Sequence, residues 1–497
     1  MISVKSFFFL KYAQWKVKRE YKTHLEAICT QEKFLKTWIH KNRKTAFGKD
    51  HNFDKIETYR DFTTFVPIRN YEEYLPYIER IKQGDHKVLS TEAPIYLLMT
   101  SGTTAGSKYI PISKTGVKHQ IEGAMMALCF YAVHKKSAEF MKYKMIFLQG
   151  SPELEDTFVI PSGRLSGVVY HHVPKFFRRN KLPSYKINTI PNWQEKIDKI
   201  VDETWREDIS ILGGIPPWCI QYFEKLLQYT GNTQLKNLYP HLEMYIYGGL
   251  DFSSYRDLTQ RLLGEGIACL QTYPASEGFF AVQDSLVVAD MLLLLDQGNY
   301  YEFKPFNDPE EAEVAVLKDV KLGVRYELII TNNSGLYRYA IGDLVEFTTL
   351  HPFRIRVVGR TSQYISAFGE HVIAYEIEKT MENALSKFGL SIVDYYVYPD
   401  IEEKRYEWLI EFDKTLHNDD LLAIARFLDT ELAHLNKYYA HLINGQIINN
   451  SLIVPIRKGT FKGFRESIGK EGGQNKVVRI SNNDTFAKML FSYNVSR

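Results

Sequence analysis

The chain has 497 residues, room for two or more domains of roughly 100–200 residues each. Sixty-two Lys and Arg against 59 Asp and Glu leave a net charge of +3, which over this length excludes the basic footprint of a nucleic-acid binder. The four cysteines, Cys29, Cys129, Cys219 and Cys269, form no C-x-x-C pair, which excludes a zinc or dithiol motif of that kind, and they are expected to be reduced packing residues.

Residues 1–45 hold no Gly or Pro and abundant Lys and Arg, a helical texture. The apolar core SFFFL before Lys11 is too short for the h-region of a signal peptide. FGKDHNF (47–53) reads as a turn, and RNYEEYLPYIERIKQG (69–84) as a helix with Pro76 near its start or in a break. From IYLLM (95–99) onward, apolar runs ending in glycine alternate with helical stretches such as WCIQYFEKLLQYTG (218–231). The runs are MIFLQG (145–150), ISILGGIP (209–216) and LEMYIYGG (242–249), and the alternation predicts an α/β fold with buried strands. SLVVADMLLLLD (285–296) falls short of the ~20 residues that span a bilayer, so a cytoplasmic protein without a membrane partner is expected. After residue 300, YYEFKPF, AEVAVL, YELIITN and LVEFTT read as successive strands. Beyond 360 the pattern starts afresh, with a helix over 372–385 that spaces Ile373, Ile377, Met381 and Leu385 by four. Two strands and a second helix (420–435) follow. The expected domains are 1–360 and a small α+β domain over 361–497.

One loop raises the question of function. LLMTSGTTAGSKYIPIS (97–113) sets Ser101, Gly102, Thr103, Thr104, Gly106 and Lys108 between two apolar runs. A Walker loop needs Gly directly before its Lys and a hydroxyl directly after it. Here Ser107 and Tyr109 take those places, and YIPIS continues as a strand, so a P-loop NTPase is excluded. A strand–loop–strand can still cradle phosphate, because glycines expose successive N–H groups while Ser, Thr and Lys add donors and charge. A plain hairpin turn has the same composition. The adjacent histidines of HHVPKFFRRNK (171–181) would diverge along a strand, so that stretch reads as a solvated loop, not a metal site.

TSGTTAGSK resembles the phosphate-binding loop T-S-G-[ST]-T-G-x-P-K of the adenylate-forming superfamily, with Ala105 inserted and Ser107 replacing the proline. Further motifs of that superfamily follow in order. YGGLD (247–251) resembles its Gly-Gly turn. QTYPASEGFF (271–280) resembles Y-G-x-T-E at Tyr273 and Glu277, with Ser276 for the threonine and Pro274 for the glycine. LYRYAIGDLVEF (336–347) resembles Y-x-x-G-D at Tyr339, Gly342 and Asp343. VVGRTSQYISAFGEHV (357–372) resembles the hinge motif, with Ser362 where an aspartate is usual, and GGQNKVVR (472–479) places Lys476 near the C-terminus. Within the superfamily, three stretches resemble the auxin-responsive acyl acid–amido synthetase family. They are 47–84, TYPASEGFFAVQD (272–284, similar to its bacterial branch) and IRKGTFKGFRESIGKEGGQNKVVR (456–479).

The resemblance implies a large N-terminal adenylate-forming domain and a smaller, mobile C-terminal one. It implies an enzyme that activates a carboxylic acid with ATP as acyl-AMP, releasing pyrophosphate, and then passes the acyl group to an amine, here an amino acid. Thr100, Ser101, Gly102, Thr103, Thr104 and Lys108 are implied to bind the nucleotide, mainly its β- and γ-phosphates, and Gly248 and Gly249 to lie beside adenine. Tyr273 would offer adenine an aromatic face, with Ser276 close by, and Glu277 would take Mg²⁺. Asp343 would accept from the ribose hydroxyls, and Arg360 would contact ribose or phosphate. Lys476 would neutralise charge on the α-phosphate or the carboxylate, with Lys458 and Lys462 as competitors. The same adenylate would serve an acyl- or aryl-CoA ligase, whose motif RYAIGD also resembles. A nucleotide- or acyl-binding protein without turnover is the reading from another class.

Overall fold

The computed structural model describes the chain apart from residues 1–3, 101–107, 249–251, 253–254, 307–312, 362–363, 366, 369, 371, 468–478 and 496–497. Two compact units form: Met1–Ile341 with Val345–Val357, and Gly342–Leu344 with Val358–Arg497.

The larger unit opens with α1 (Val4–Leu25) and α2 (Ala27–Asn42), then α3 (Ala46–Asp50), α4 (Tyr59–Phe65) and α5 (Tyr71–Lys82). The turn expected at FGKDHNF comes late. Thr45 caps α3 by accepting the Gly48 N–H, and the chain reverses at Asn52, whose φ is 50°. Pro76 neither starts nor breaks α5, correcting the expectation, because the helix runs through it from a capping box of Asn70 and Glu73. A proline inside a helix costs about 3 kcal/mol. Burial of Tyr71, Tyr74, Ile78 and Ile81 along one face, at about 1.5–3 kcal/mol each, outweighs it.

The strands of this unit in chain order begin with β1 (Pro94–Thr100), β2 (Lys108–Ser113), β3 (Lys144–Phe147), β4 (Ser162–Gly163), β5 (Lys181–Leu182), β6 (Ile209–Gly213) and β7 (Met244–Gly248). They continue with β8 (Ala268–Ala275), β9 (Gly278–Gln283), β10 (Met291–Leu293), β11 (Asn299–Pro305), β12 (Ala315–Val316), β13 (Arg325–Asn332), β14 (Tyr339–Leu350) and β15 (Phe353–Arg360). Helix α6 (Lys114–Lys135) follows β2, and α7 (Leu165–His172) follows β4. A small sheet has the order β2-β1-β4, and the principal sheet runs β12-β11-β13-β14-β15-β10-β9-β8-β7-β6-β3-β5. Strands β5, β3, β6, β7 and β8 are parallel, while β8 to β9 and β9 to β10 are antiparallel.

Alternate residues of the parallel strands serve two cores. Met145, Ile211, Met244 and Leu270 pack with α1 and α6 through Phe9, Ala13 and Leu128. Ile146, Leu212 and Tyr245 pack with Ile200, Tyr222 and Phe223, from the helices Trp193–Thr204 and Pro216–Thr230. A sheet covered on both faces needs continuous apolar strands, and these residues supply them. The 171–181 stretch is not a solvated loop. His171 and His172 close α7, half-buried, with His171 Nε2 2.7 Å from the Pro152 carbonyl and the Tyr96 hydroxyl 2.9 Å from His172 Nε2.

In the smaller unit, β16 (Tyr364–Ile365) pairs with β17 (Val372–Ile373), and β18 (Ile392–Asp400), β19 (Arg405–Phe412) and β20 (Leu452–Pro455) form a three-stranded sheet. The helices Ala374–Phe388 and Asn418–Leu435 cover it, burying Ile377, Trp408 and Leu428. The Asp394 carboxylate accepts from Arg465 at 2.6 Å and Arg479 at 3.2 Å, two arginines that flank residues 468–478 in the chain.

Candidate functional site

The first piece of the site is the β1–β2 hairpin. Thr100 and Lys108 are its last paired residues, those that flank 101–107 in the chain. Ser101, Gly102, Thr103 and Thr104 fall outside the described residues, as do Gly249 and Lys476. Tyr71 of α5 supports the hairpin. Its hydroxyl accepts the Tyr109 N–H at 2.8 Å, and the Lys108 ammonium lies 5.2 Å from its ring centre, in reach of a cation–π attraction.

The second piece is built on β7, β8 and β9. Gly248 ends β7, where a Cβ would stand 2.5 Å from the Thr272 carbonyl oxygen, so close approach of β8 demands glycine. Ala275 pairs with Gly278, which makes Ser276 and Glu277 the two-residue turn of the β8–β9 hairpin. That turn is held from two sides. Gln120 of α6 donates to the Ala275 carbonyl at 2.7 Å, and Asn332 donates from Nδ2 to the Glu277 carbonyl at 2.7 Å. Asn332 is fixed in turn, because its Oδ1 accepts the N–H groups of Ser334 and Leu336 at 2.9 and 3.0 Å. Both turn residues keep part of their surface in solvent. Tyr273 is buried instead, with its ring centre 5.1 Å from that of Phe280. Burial pushes the Tyr339 phenol well above its usual range, and the nearby Glu277 and Tyr71 charges add to it.

The third piece belongs to the smaller unit. Arg360 Nε lies 2.8 Å from Asp343 Oδ1, with the side chains 32% and 14% exposed. Each residue follows a glycine of positive φ, Gly342 at 81° and Gly359 at 140°, backbone that a side chain would strain. The Thr361 N–H donates to the Gly342 carbonyl at 2.8 Å and ties the two strand segments together.

Sequence reasoning missed the residues that hold these pieces: Tyr71, Gln120 and Asn332. It also missed a buried ion pair at the entrance to β14. Arg338, with φ 45°, donates from Nε to both Glu302 oxygens at 3.0 and 3.1 Å and from Nη1 to the Val66 carbonyl at 2.9 Å. Tyr59 donates its hydroxyl to the same carboxylate at 2.7 Å. Among the described residues, no three His, Cys, Asp or Glu side chains group as a metal cage, and no helix is long and apolar enough to cross a membrane.

The fold is similar to that of adenylate-forming ligases. The structure is similar to that of 2-hydroxyisobutyryl-CoA ligase in its postadenylation state, with TM-score 0.59 and 12% identity over 97% of this chain and 93% of that one. It is also similar to the AtGH3.15 acyl acid amido synthetase in complex with 2,4-DB, with TM-score 0.79 and 17% identity over 97% and 96% of the two chains. The chain belongs to the GH3 family. Residues 18–181 match the GH3 family N-terminal domain, 292–360 the central domain and 375–485 the C-terminal domain. The indole-3-acetic acid-amido synthetase GH3.4 of Arabidopsis thaliana is 22% identical over 553 aligned positions, which cover 94% of this chain and 91% of the relative. The family expected from the motifs is thus the family found.

Proposed function

We propose that the protein is an ATP-dependent acyl acid–amido synthetase. A carboxylate is a poor electrophile, because its charge repels nucleophiles and oxide is a poor leaving group. In the first step a carboxylate oxygen attacks the α-phosphorus of ATP; the new P–O bond forms as the bond to the β-phosphate oxygen breaks, and pyrophosphate leaves. In the second step an amine, by this reading an amino acid, attacks the acyl carbon. The C–O bond to AMP breaks, AMP leaves with the electron pair, and the amine gives up a proton. No covalent enzyme intermediate is required, so the protein's share is positioning and charge neutralisation.

The division of labour proposed here follows the resemblance to the adenylate-forming motifs. Lys108 and the loop residues Thr100, Ser101, Gly102, Thr103 and Thr104 take the β- and γ-phosphates. Gly248 and Gly249 border the adenine, with Tyr273 and Ser276 nearby. Asp343, with its oxygens directed by Arg360, accepts from the ribose hydroxyls. Lys476 offsets charge at the α-phosphate. Mg²⁺ binds through one or two carboxylates plus substrate phosphates and keeps several waters. A single carboxylate on a part-exposed turn, Glu277, fits an ion that arrives with the nucleotide, and bound there it would offset phosphate charge. The reading assigns the nucleotide to residues of 1–360 and Lys476 to residues 361–497, with the smaller domain swinging between the half-reactions. Three cysteines, Cys129, Cys219 and Cys269, have thiols that burial pushes up to about 12, 12 and 11, a poor basis for thiolate chemistry.

The observation that carries this reading is membership of one family through matches at 18–181, 292–360 and 375–485, with an amido synthetase relative covered over nine-tenths of its length. Incubation with ATP, Mg²⁺, a panel of carboxylic acids and either amino acids or CoA, followed by mass spectrometry, tests it. An amide formed with stoichiometric AMP is the expected product. A thioester would make the protein a CoA ligase, and ATP binding without pyrophosphate release would leave a binding protein.

A further inference from the structure

Helix α1 buries one face and leaves the opposite one open. Ser6, Phe9, Ala13, Val17, Glu20 and His24 are buried against the unit. Val4, Phe8, Tyr12 and Trp15 share the far side at helical spacing and stay 72%, 66%, 38% and 54% exposed. Large aromatic side chains rarely remain in water as a contiguous stripe. The charges that the helix itself carries are mostly basic, with Lys16 paired to Glu122 of α6 at 3.5 Å. Residues 4–25 contain six Lys and Arg and a single acid, Glu20, which is buried. Lys11 and Lys18 lie on the exposed face beside the aromatics and have no ion-pair partner among the described residues. The apolar stripe continues inward. Phe8, Phe9 and Tyr12 line a cavity of about 910 Å³ with Ile121 and Met125 of α6. This lies on another face of α6 from Gln120, which reaches the Ser276–Glu277 turn.

We propose that the exposed face of α1 docks on an anionic phospholipid surface. Aromatic rings settle at headgroup depth and flanking lysines meet the negative surface potential, the pattern of a helix that lies in the interface rather than crossing it. An acidic protein surface could also meet the lysines. The lipid is favoured because the open aromatics continue into an apolar cavity that can take an acyl tail. The expectation of no membrane partner drawn from the lack of a spanning segment does not bear on this mode, which needs no span.

Co-sedimentation of the full-length protein with phosphatidylcholine vesicles, with and without phosphatidylglycerol, tests the proposal. Binding is expected only with phosphatidylglycerol. It should weaken at least about tenfold in Phe8→Ala/Trp15→Ala, as loss of two interfacial aromatics requires, and fall again in Lys11→Gln/Lys18→Gln. All four side chains are exposed, and unchanged circular dichroism confirms that the variants fold. Failure to bind the anionic vesicles would overturn the proposal. So would binding that ignores the aromatic substitutions, or equal binding to polyglutamate, either of which would reduce the face to a charge patch for acidic polymers.

Discussion

Asp343 and Arg360 meet at 2.8 Å on neighbouring strands, each directly after a glycine of positive φ. A carboxylate accepts hydrogen bonds at both of its oxygens, and in the proposed reading a ribose diol supplies donors to Asp343. Asp343→Asn keeps the shape but turns an acceptor into a donor. Hydrogen bonds to charged groups are worth about 1.5–3 kcal/mol, so the KM for ATP is expected to rise about 10- to 100-fold in pyrophosphate-release assays. Arg360→Lys keeps the charge and loses the fork, and should raise it less. An unchanged KM in Asp343→Asn would remove Asp343 from the nucleotide site.

Glu277 and Asn332 separate charge from placement on one turn. Glu277→Gln leaves the backbone contact with Asn332 intact and removes the carboxylate. Loss of electrostatic stabilisation of this kind costs about 10²–10³ in rate, and the Mg²⁺ concentration giving half-maximal rate should rise with it. Asn332→Asp retains the acceptor for Ser334 and Leu336 but loses the donor to Glu277. It is expected to lower kcat while the Mg²⁺ dependence stays close to wild type. If both variants turn over normally, the hairpin turn is not where the metal-bound phosphates sit.

The Glu302–Arg338 pair, with side chains 0% and 6% exposed, is a structural bet. Desolvation pushes the Glu302 carboxyl up, and Arg338 with Tyr59 pulls it back. Arg338→Met strands a buried carboxylate, at a cost of about 3–5 kcal/mol, read as a lower denaturant midpoint. Adding Glu302→Leu removes the stranded charge and should recover part of the loss. A double variant no better than the single one would contradict this account.

The large sheet was legible because burial on both faces forces continuous apolar strands, so MIF, ISILG and MYIYG could be read one by one. Gly342 and Gly248 were legible only through the motif resemblance, and the structure gives the reason that glycine stands there, since backbone geometry excludes a side chain. The supports of the site were not. Asn332 acts on Glu277 from 55 residues away, and Arg338 on Glu302 from 36, and no local pattern marks either partner. Pro76 was misread because propensity is local, whereas the burial that overrides it is tertiary. His171 and His172 were misread for the same cause, with their partners Pro152 and Tyr96 far up the chain.

Glu20 and His24 set opposite pH dependences one helical turn apart in α1. Burial raises the Glu20 carboxyl to about 7 from an ordinary 4.5 and lowers the His24 imidazole to about 4 from 6.5. Between roughly pH 4.5 and 6.5 both are therefore neutral in the fold, and their 4.0 Å contact is not an ion pair. Glu20 binds its proton more tightly folded than unfolded, so its contribution is full below pH 4.5 and lost as pH rises to about 7. His24 contributes fully above pH 6.5, and its contribution is lost as pH falls to about 4. Where the windows overlap the two slopes cancel. Glu20→Gln removes one slope, so its stability should gain on wild type between pH 4.5 and 7, by about 3 kcal/mol. His24→Gln should leave the other, with stability falling across that range. Urea unfolding at several pH values reads both, and profiles parallel to wild type would mean that neither group is displaced from its ordinary titration.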